Sequence, residues 1–243
     1  MNTQLPSDTT AERLAHVRWI AGGTAAGKST AARALAEQYG VEIFNGDRAE
    51  HRWLARCTPQ RHPHLAALRG TPPGGGWEGR TPEQVFRSMA GLHGETVEFL
   101  VDDLDDLDDL GDFDDLGGRG TAEQPVVVDY FGILPDHLAP LLTRPEQAVF
   151  LLPTPEFRAD ALRARYADRQ HARATWGSGD PSDLLPLRLA RDALWDREVR
   201  RQAERHGLDV VTVDGSVPAA ERAGWLAARF GLAGPGGAQT PHR

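Results

Sequence analysis

The chain has 243 residues, 40% of them hydrophobic and 26% charged, with a formal net charge of −8. These values are ordinary for a soluble globular protein with one sizeable core, and the single cysteine, Cys57, excludes an intrachain disulfide. No apolar run approaches membrane-spanning length and no leader pattern is visible, so a cytoplasmic protein is expected.

In chain order, residues 1–12 read as a frayed tail, as do residues 233–243 at the other end. Residues 16–22, "HVRWIAG", form a short β-rich run ending in glycine. Residues 29–39, "STAARALAEQY", are helical, and Gly40 supplies the stop. "VEIF" (41–44) is a second strand. About eighty residues then intervene before the third, "PVVVDYF" (125–131). A fourth, "QAVFLL" (147–152), and a fifth, "LDVVTVDG" (208–215), follow. Continuous apolar runs mark strands covered on both faces. Helices are predicted over 136–142, 156–169, 187–206 and 219–230, and strands alternating with helices predict a parallel α/β sheet.

The domain is expected to span 13–232. Its long insert, about 48–124, is expected to carry substrate-recognition elements. Within it 69–80 is a loop rich in turn formers and 81–104 reads as a helix with Thr81 as its cap. Residues 102–115, "DDLDDLDDLGDFDD", hold nine aspartates; without them the chain is near neutral. Leucines recurring every three residues drift around a helix, so 102–116 reads as a solvated linker, with an interaction or metal-binding segment as the alternative. A broad basic face is absent, and long nucleic acid is not an expected partner. Residues 166–186, holding "WGSGDPSD", are expected to form a lid.

The chemistry concentrates at Gly22–Ser29, "GGTAAGKS", which satisfies G-x-x-x-x-G-K-[ST] between a predicted strand and a predicted helix. In such a loop the backbone of Gly22, Gly23, Thr24, Ala25, Ala26 and Gly27 curls around phosphate oxygens, and the helix start at Ser29 and Thr30 adds donors. Lys28 reaches the outer phosphates and the Ser29 hydroxyl ligates Mg²⁺. Lys28 is also the single lysine beside 26 arginines. A bias toward arginine removes lysine wherever the two are equivalent, and it leaves lysine where a slim ammonium is required.

Asp129 ends a buried strand, where a carboxylate either holds Mg²⁺ or caps the next turn. Asp47, after the second strand, either accepts a proton from an attacking hydroxyl or caps a helix starting near Arg48. Arg163, Arg165, Arg169 and their neighbours Arg158, Arg173 and Arg191 are surface residues or a phosphate-clamping lid. His51, Arg52, Arg80 and Arg87, with Trp77 and His93, are candidate substrate contacts.

With those residues in place the chain resembles the P-loop small-molecule kinases of the nucleoside- and nucleotide-kinase-like group, over most of 16–231. "GGTAAGKS" followed by "FNGD" is similar to the chloramphenicol phosphotransferases. The resemblance implies a three-layer P-loop fold with a five-stranded parallel sheet ordered 2-3-1-4-5, and ATP with Mg²⁺. It implies Asp47 as base, Lys28, Arg163 and Arg165 as catalytic charges, and Arg169, Gly215 and Ser216 on the nucleotide side. "DYFGILP" lacks the arginine that binds monophosphates in nucleotide kinases. The expected activity is transfer of the γ-phosphate to a hydroxyl of a small metabolite or natural product, by a monomer or homodimer. The alternatives are a nucleotide-binding regulatory protein without transfer and a polynucleotide-end kinase.

Overall fold

Five strands lie side by side in the computed structural model, which describes residues 8–106 and 125–232. They are β1 (Val17–Gly22), β2 (Glu42–Asn45), β3 (Val126–Asp129), β4 (Ala148–Pro153) and β5 (Asp209–Val213). Every pairing is parallel and the order is β2-β3-β1-β4-β5. In this register Asp129 pairs with Ile20 on one side and Asn45 on the other. The carboxyl ends of β1, β2 and β3 therefore reach one edge together.

Alternation along the strands splits the core in two. Trp19, Phe44, Val126, Val128 and Phe150 face one side; Ile20, Ile43, Val127, Val149 and Leu151 face the other. The second face is covered by α2 (Lys28–Tyr39) and α11 (Ala219–Phe230), through Leu35, Leu226 and Phe230. The first is covered by α3 (Gly46–Arg56), α6 (Val97–Asp105) and α10 (Pro181–His206), through Trp53, Leu100 and Trp195. Each fully buried large apolar side chain contributes about 1.5–3 kcal/mol, so both layers are held mainly by this burial. A smaller cluster of Leu162, Tyr166, Ala172 and Trp176 joins α8 (Pro155–Ala167) to α9 (Arg169–Trp176).

Four expectations are corrected. Residues 8–12 are helical, not frayed: α1 (Asp8–Arg13) buries Ala11 and leads into fully buried Leu14. The helix expected over 81–104 is broken. Thr81 and Gln84 do form a capping box, but α5 (Pro82–Arg87) stops at Ser88, and Gly94 (φ 69°) closes a 3-10 turn before α6. The helix expected over 187–206 begins six residues earlier, at Pro181, so the segment 166–186 contains α9 and the start of α10, with Trp176 buried. Asp180 caps α10, and Pro186 is carried inside the helix.

The fourth correction concerns the acidic run. Its first residues, 102–105, belong to α6, where Asp103 is buried. Its carboxylate accepts from Trp53 Nε1 (2.7 Å), Arg56 Nη1 (2.5 Å) and Arg52 Nη2 (3.3 Å), tying α6 to α3. Residues 107–116 lie outside the described residues. Among the described residues no helix is long and apolar enough to cross a membrane.

Candidate functional site

The loop between β1 and α2 has a backbone that its sequence makes possible. Gly27 (φ 76°) sits in the left-handed region at the start of α2. Ala25 (φ 62°) is the one other-than-glycine residue there among the described residues. Left-handed residues between right-handed ones turn successive N–H groups toward a common concave side, and a strained alanine marks a backbone held by its surroundings. The holding group is Arg158 of α8, which is buried. Its Nε donates to the Thr24 carbonyl (3.2 Å) and its Nη2 to Asp196 Oδ2 of α10 (2.6 Å). A Cβ at Gly23 would stand 2.6 Å from Arg158 Nη2 and 2.9 Å from Asp196 Oδ1, so only glycine fits between loop and ion pair.

Lys28 opens α2 and is buried; its Nζ donates to the Gly23 carbonyl (2.9 Å). The ring of Phe131 lies 5.7 Å from that ammonium. Ser29, next in the helix, lies beside the Asp129 carboxylate. Asp129 is buried and its Oδ1 has no hydrogen-bond partner. Burial pushes its carboxyl up, while the Lys28 charge and the neighbouring Ser29 hydroxyl pull the other way.

From β2 the chain enters α3. Asn45, not Asp47, is the cap: its side chain accepts from the Arg48 N–H (2.9 Å). Asp47 sits in the first turn, and its Oδ1 accepts the N–H of Phe131 (3.2 Å). Glu50, one turn further, shares its helix face. Burial first, and the neighbouring Asp47 charge second, push the Glu50 carboxyl up to about 7.

The opposite wall is arginine. In α10 the guanidinium of Arg191 is buried 5.2 Å from the Trp77 ring and 5.6 Å from the Phe131 ring. Its Nε lies 2.9 Å from Asp192 Oδ1, an ion pair without hydrogen-bond alignment, and its Nη1 contacts Met89 Sδ at 3.1 Å. Arg188 donates from Nη1 to the Tyr166 hydroxyl (2.8 Å) and packs 5.7 Å from Trp176. Burial lowers the Arg191 pKa, helped by the charges of Arg188 and Arg158; guanidinium nevertheless stays ionised in proteins.

These walls enclose a cavity of about 410 Å³, within the range of small-ligand sites. Its lining brings together Thr24, Ala25, Ala26, Gly27, Lys28, Ser29 and Thr30 with Asp47 and Arg165, all singled out in the sequence. It also holds Arg191, named among the sequence candidates, and adds Arg33, Glu50, Phe131 and Arg188. No protein-family model and no curated protein matches the chain. The site therefore stands on its own residues.

Other sequence candidates lie elsewhere. Gly22 ends β1, Gly23 backs the loop, and Asp129 lies behind Ser29. Arg163 is exposed and paired with Asp160 (2.8 Å); Arg169 is exposed at the start of α9. Gly215 and Ser216 form an exposed turn in which Ser216 donates twice to Asp214 Oδ1. His51 and Arg87 are exposed, and Arg52 reaches Asp103. Arg80 braces its own loop through the Gly76 and Gln84 carbonyls and Ser88 Oγ. His93 stacks on His64 at 3.8 Å. None of these lines the cavity.

Of the added residues, Glu50 had a legible signal, a second carboxylate three positions after Asp47. Arg188 stands at that same spacing before Arg191 in the long helix. Phe131 had none. Among the described residues no cluster of three or more His, Cys, Asp or Glu is placed to hold a metal.

Proposed function

We propose that the chain is a P-loop phosphotransferase that moves the γ-phosphate of ATP to a hydroxyl of a small molecule. The observation that carries this reading is one cavity with two unlike walls. One consists of the glycine loop, the start of α2, Lys28 and four arginines, a surface suited to polyphosphate. The other is the Asp47–Glu50 pair, suited to a hydroxyl. In a protein that merely bound nucleotide, two carboxylates facing an anion site would only weaken it by repulsion.

Mg²⁺ fits the residues present. The partnerless Oδ1 of Asp129 and the Ser29 hydroxyl beside it would hold the ion, directly or through water, and it would neutralise charge on the β- and γ-phosphates. Mg²⁺ bound with phosphates needs only one or two protein groups, so a cage of carboxylates is not required. Lys28 and Arg165, Arg188 and Arg191 supply fixed positive charge, and aromatic rings hold the last two in place. Asp47, anchored by the Phe131 N–H, orients the acceptor hydroxyl.

The test is MgATP binding followed by thermal unfolding, with ADP release across a panel of hydroxyl compounds. At a hundredfold excess over Kd, MgATP contributes ~2.7 kcal/mol, or roughly 5–10 °C in Tm, and Lys28→Ala should remove most of it. A wild-type Tm indifferent to MgATP would overturn the reading.

A further inference from the structure

We infer that Glu50 is the proton acceptor of the transfer and that Asp47 positions the hydroxyl beside it; this rests on the phosphotransferase reading above. The two carboxylates leave α3 one turn apart and line the same cavity. What holds them differs. Asp47 Oδ1 accepts the Phe131 N–H at 3.2 Å, a bond that occupies this oxygen and fixes the direction of the carboxylate. Glu50 has no hydrogen bond or ion pair among the described residues and is half-buried in the cavity wall. A carboxylate so poorly solvated, beside a second negative charge, holds a proton more tightly than an exposed one, and its carboxyl is pushed up to about 7. That is where a general base works best at neutral pH.

The charges around Glu50 agree with this assignment. On its own helix the neighbour is Asp47; after β3 it is the Tyr130 phenol, kept neutral by deep burial. Lys28 and Arg33 of α2 line the cavity, as do Arg165 of α8 and the α10 arginines, yet none pairs with Glu50. Those cations serve the phosphate side.

In the step, the acceptor O–H proton passes to the Glu50 carboxylate as the hydroxyl oxygen bonds to the γ-phosphorus. The bond from that phosphorus to the β–γ bridging oxygen breaks, and ADP leaves with the electron pair. Glu50 then returns its proton to solvent.

Water is the acceptor available without knowing the substrate, so the probe is MgATP hydrolysis, read as ADP release between pH 5.5 and 9. The wild-type rate should rise with pH through a limb near 7. Glu50→Gln should lose that limb and fall ~10²-fold or more while MgATP affinity stays within about twofold, which also shows that the variant is folded. Glu50→Asp should keep a limb and recover part of the rate. Asp47→Asn should move the limb to lower pH, because it removes the adjacent negative charge. A wild type that binds MgATP but releases ADP no faster than Glu50→Gln overturns the inference, as does a limb that survives in Glu50→Gln. A wild type that fails to bind MgATP overturns the phosphotransferase reading instead.

Discussion

Replacing Asp103 by alanine should destabilise the protein by about 2–4 kcal/mol. The side chain is 4% exposed and holds three donors on α3. Two of them, Arg52 and Arg56, are 36% and 42% exposed and can turn to water, so their loss is heavily discounted. Trp53 is fully buried and cannot. Leaving its indole N–H unpaired costs about 1–3 kcal/mol, to which the lost charge-assisted bonds add roughly one more. For a chain of this size the Tm should fall roughly 5–12 °C. Asp103→Asn, which keeps an acceptor for Trp53, should cost about half as much. The assay is urea unfolding followed by tryptophan fluorescence, with unchanged m values showing that the same cooperative unit melts. Because α3 carries Asp47 and Glu50, ADP release should drop more than MgATP affinity. An alanine variant within 0.5 kcal/mol of wild type would refute the claim that this carboxylate joins α6 to α3.

Three more outcomes are expected. Glu50 binds its proton more tightly in the fold than in the unfolded chain, so the stability it supports is complete below pH ~4.5 and declines as pH rises through about 7. Glu50→Gln should therefore match wild type near pH 4 and exceed it by about 2–3 kcal/mol at pH 8, by denaturant titration at both values. Arg158→Ala removes the partner of half-buried Asp196 and the donor to Thr24, and should cost about 3 kcal/mol and weaken MgATP at least tenfold; retained affinity by calorimetry would show the loop needs no such support. Asp47→Asn should spare nucleotide affinity while kcat falls ~10-fold, since a positioning carboxylate matters less than a base; loss of binding would place Asp47 on the nucleotide side instead.

The strands and the glycine loop were legible because each is specified locally. A doubly covered strand writes a continuous apolar run, and the loop needs glycine and lysine at fixed offsets. The cap at Thr81 was equally local, since Gln84 completes it three residues away. What escaped depends on distant partners. Asp103 reads as one solvated aspartate among nine, yet its burial is decided by Trp53 and Arg56 some fifty residues earlier. Arg188 and Arg191 are indistinguishable from the chain's other arginines until Trp77, Tyr166 and Trp176 fold over them. The same logic separates Arg165, which reaches the cavity, from Arg163, which pairs with Asp160 three residues away on the helix exterior.

Lys28 has a consequence for covalent chemistry. Apart from the α-amino group of Met1, its Nζ is the chain's single primary amine, and it lies beneath the glycine loop instead of on the surface. Reagents that acylate amines all over ordinary proteins find one side chain here, on the floor of the cavity. Mass gained at Lys28 itself then counts accessible cavities, and a dye coupled to that side chain reports from the same spot. Enzymes that write on surface lysines have nothing to write on, because the exterior presents its positive charge as guanidinium.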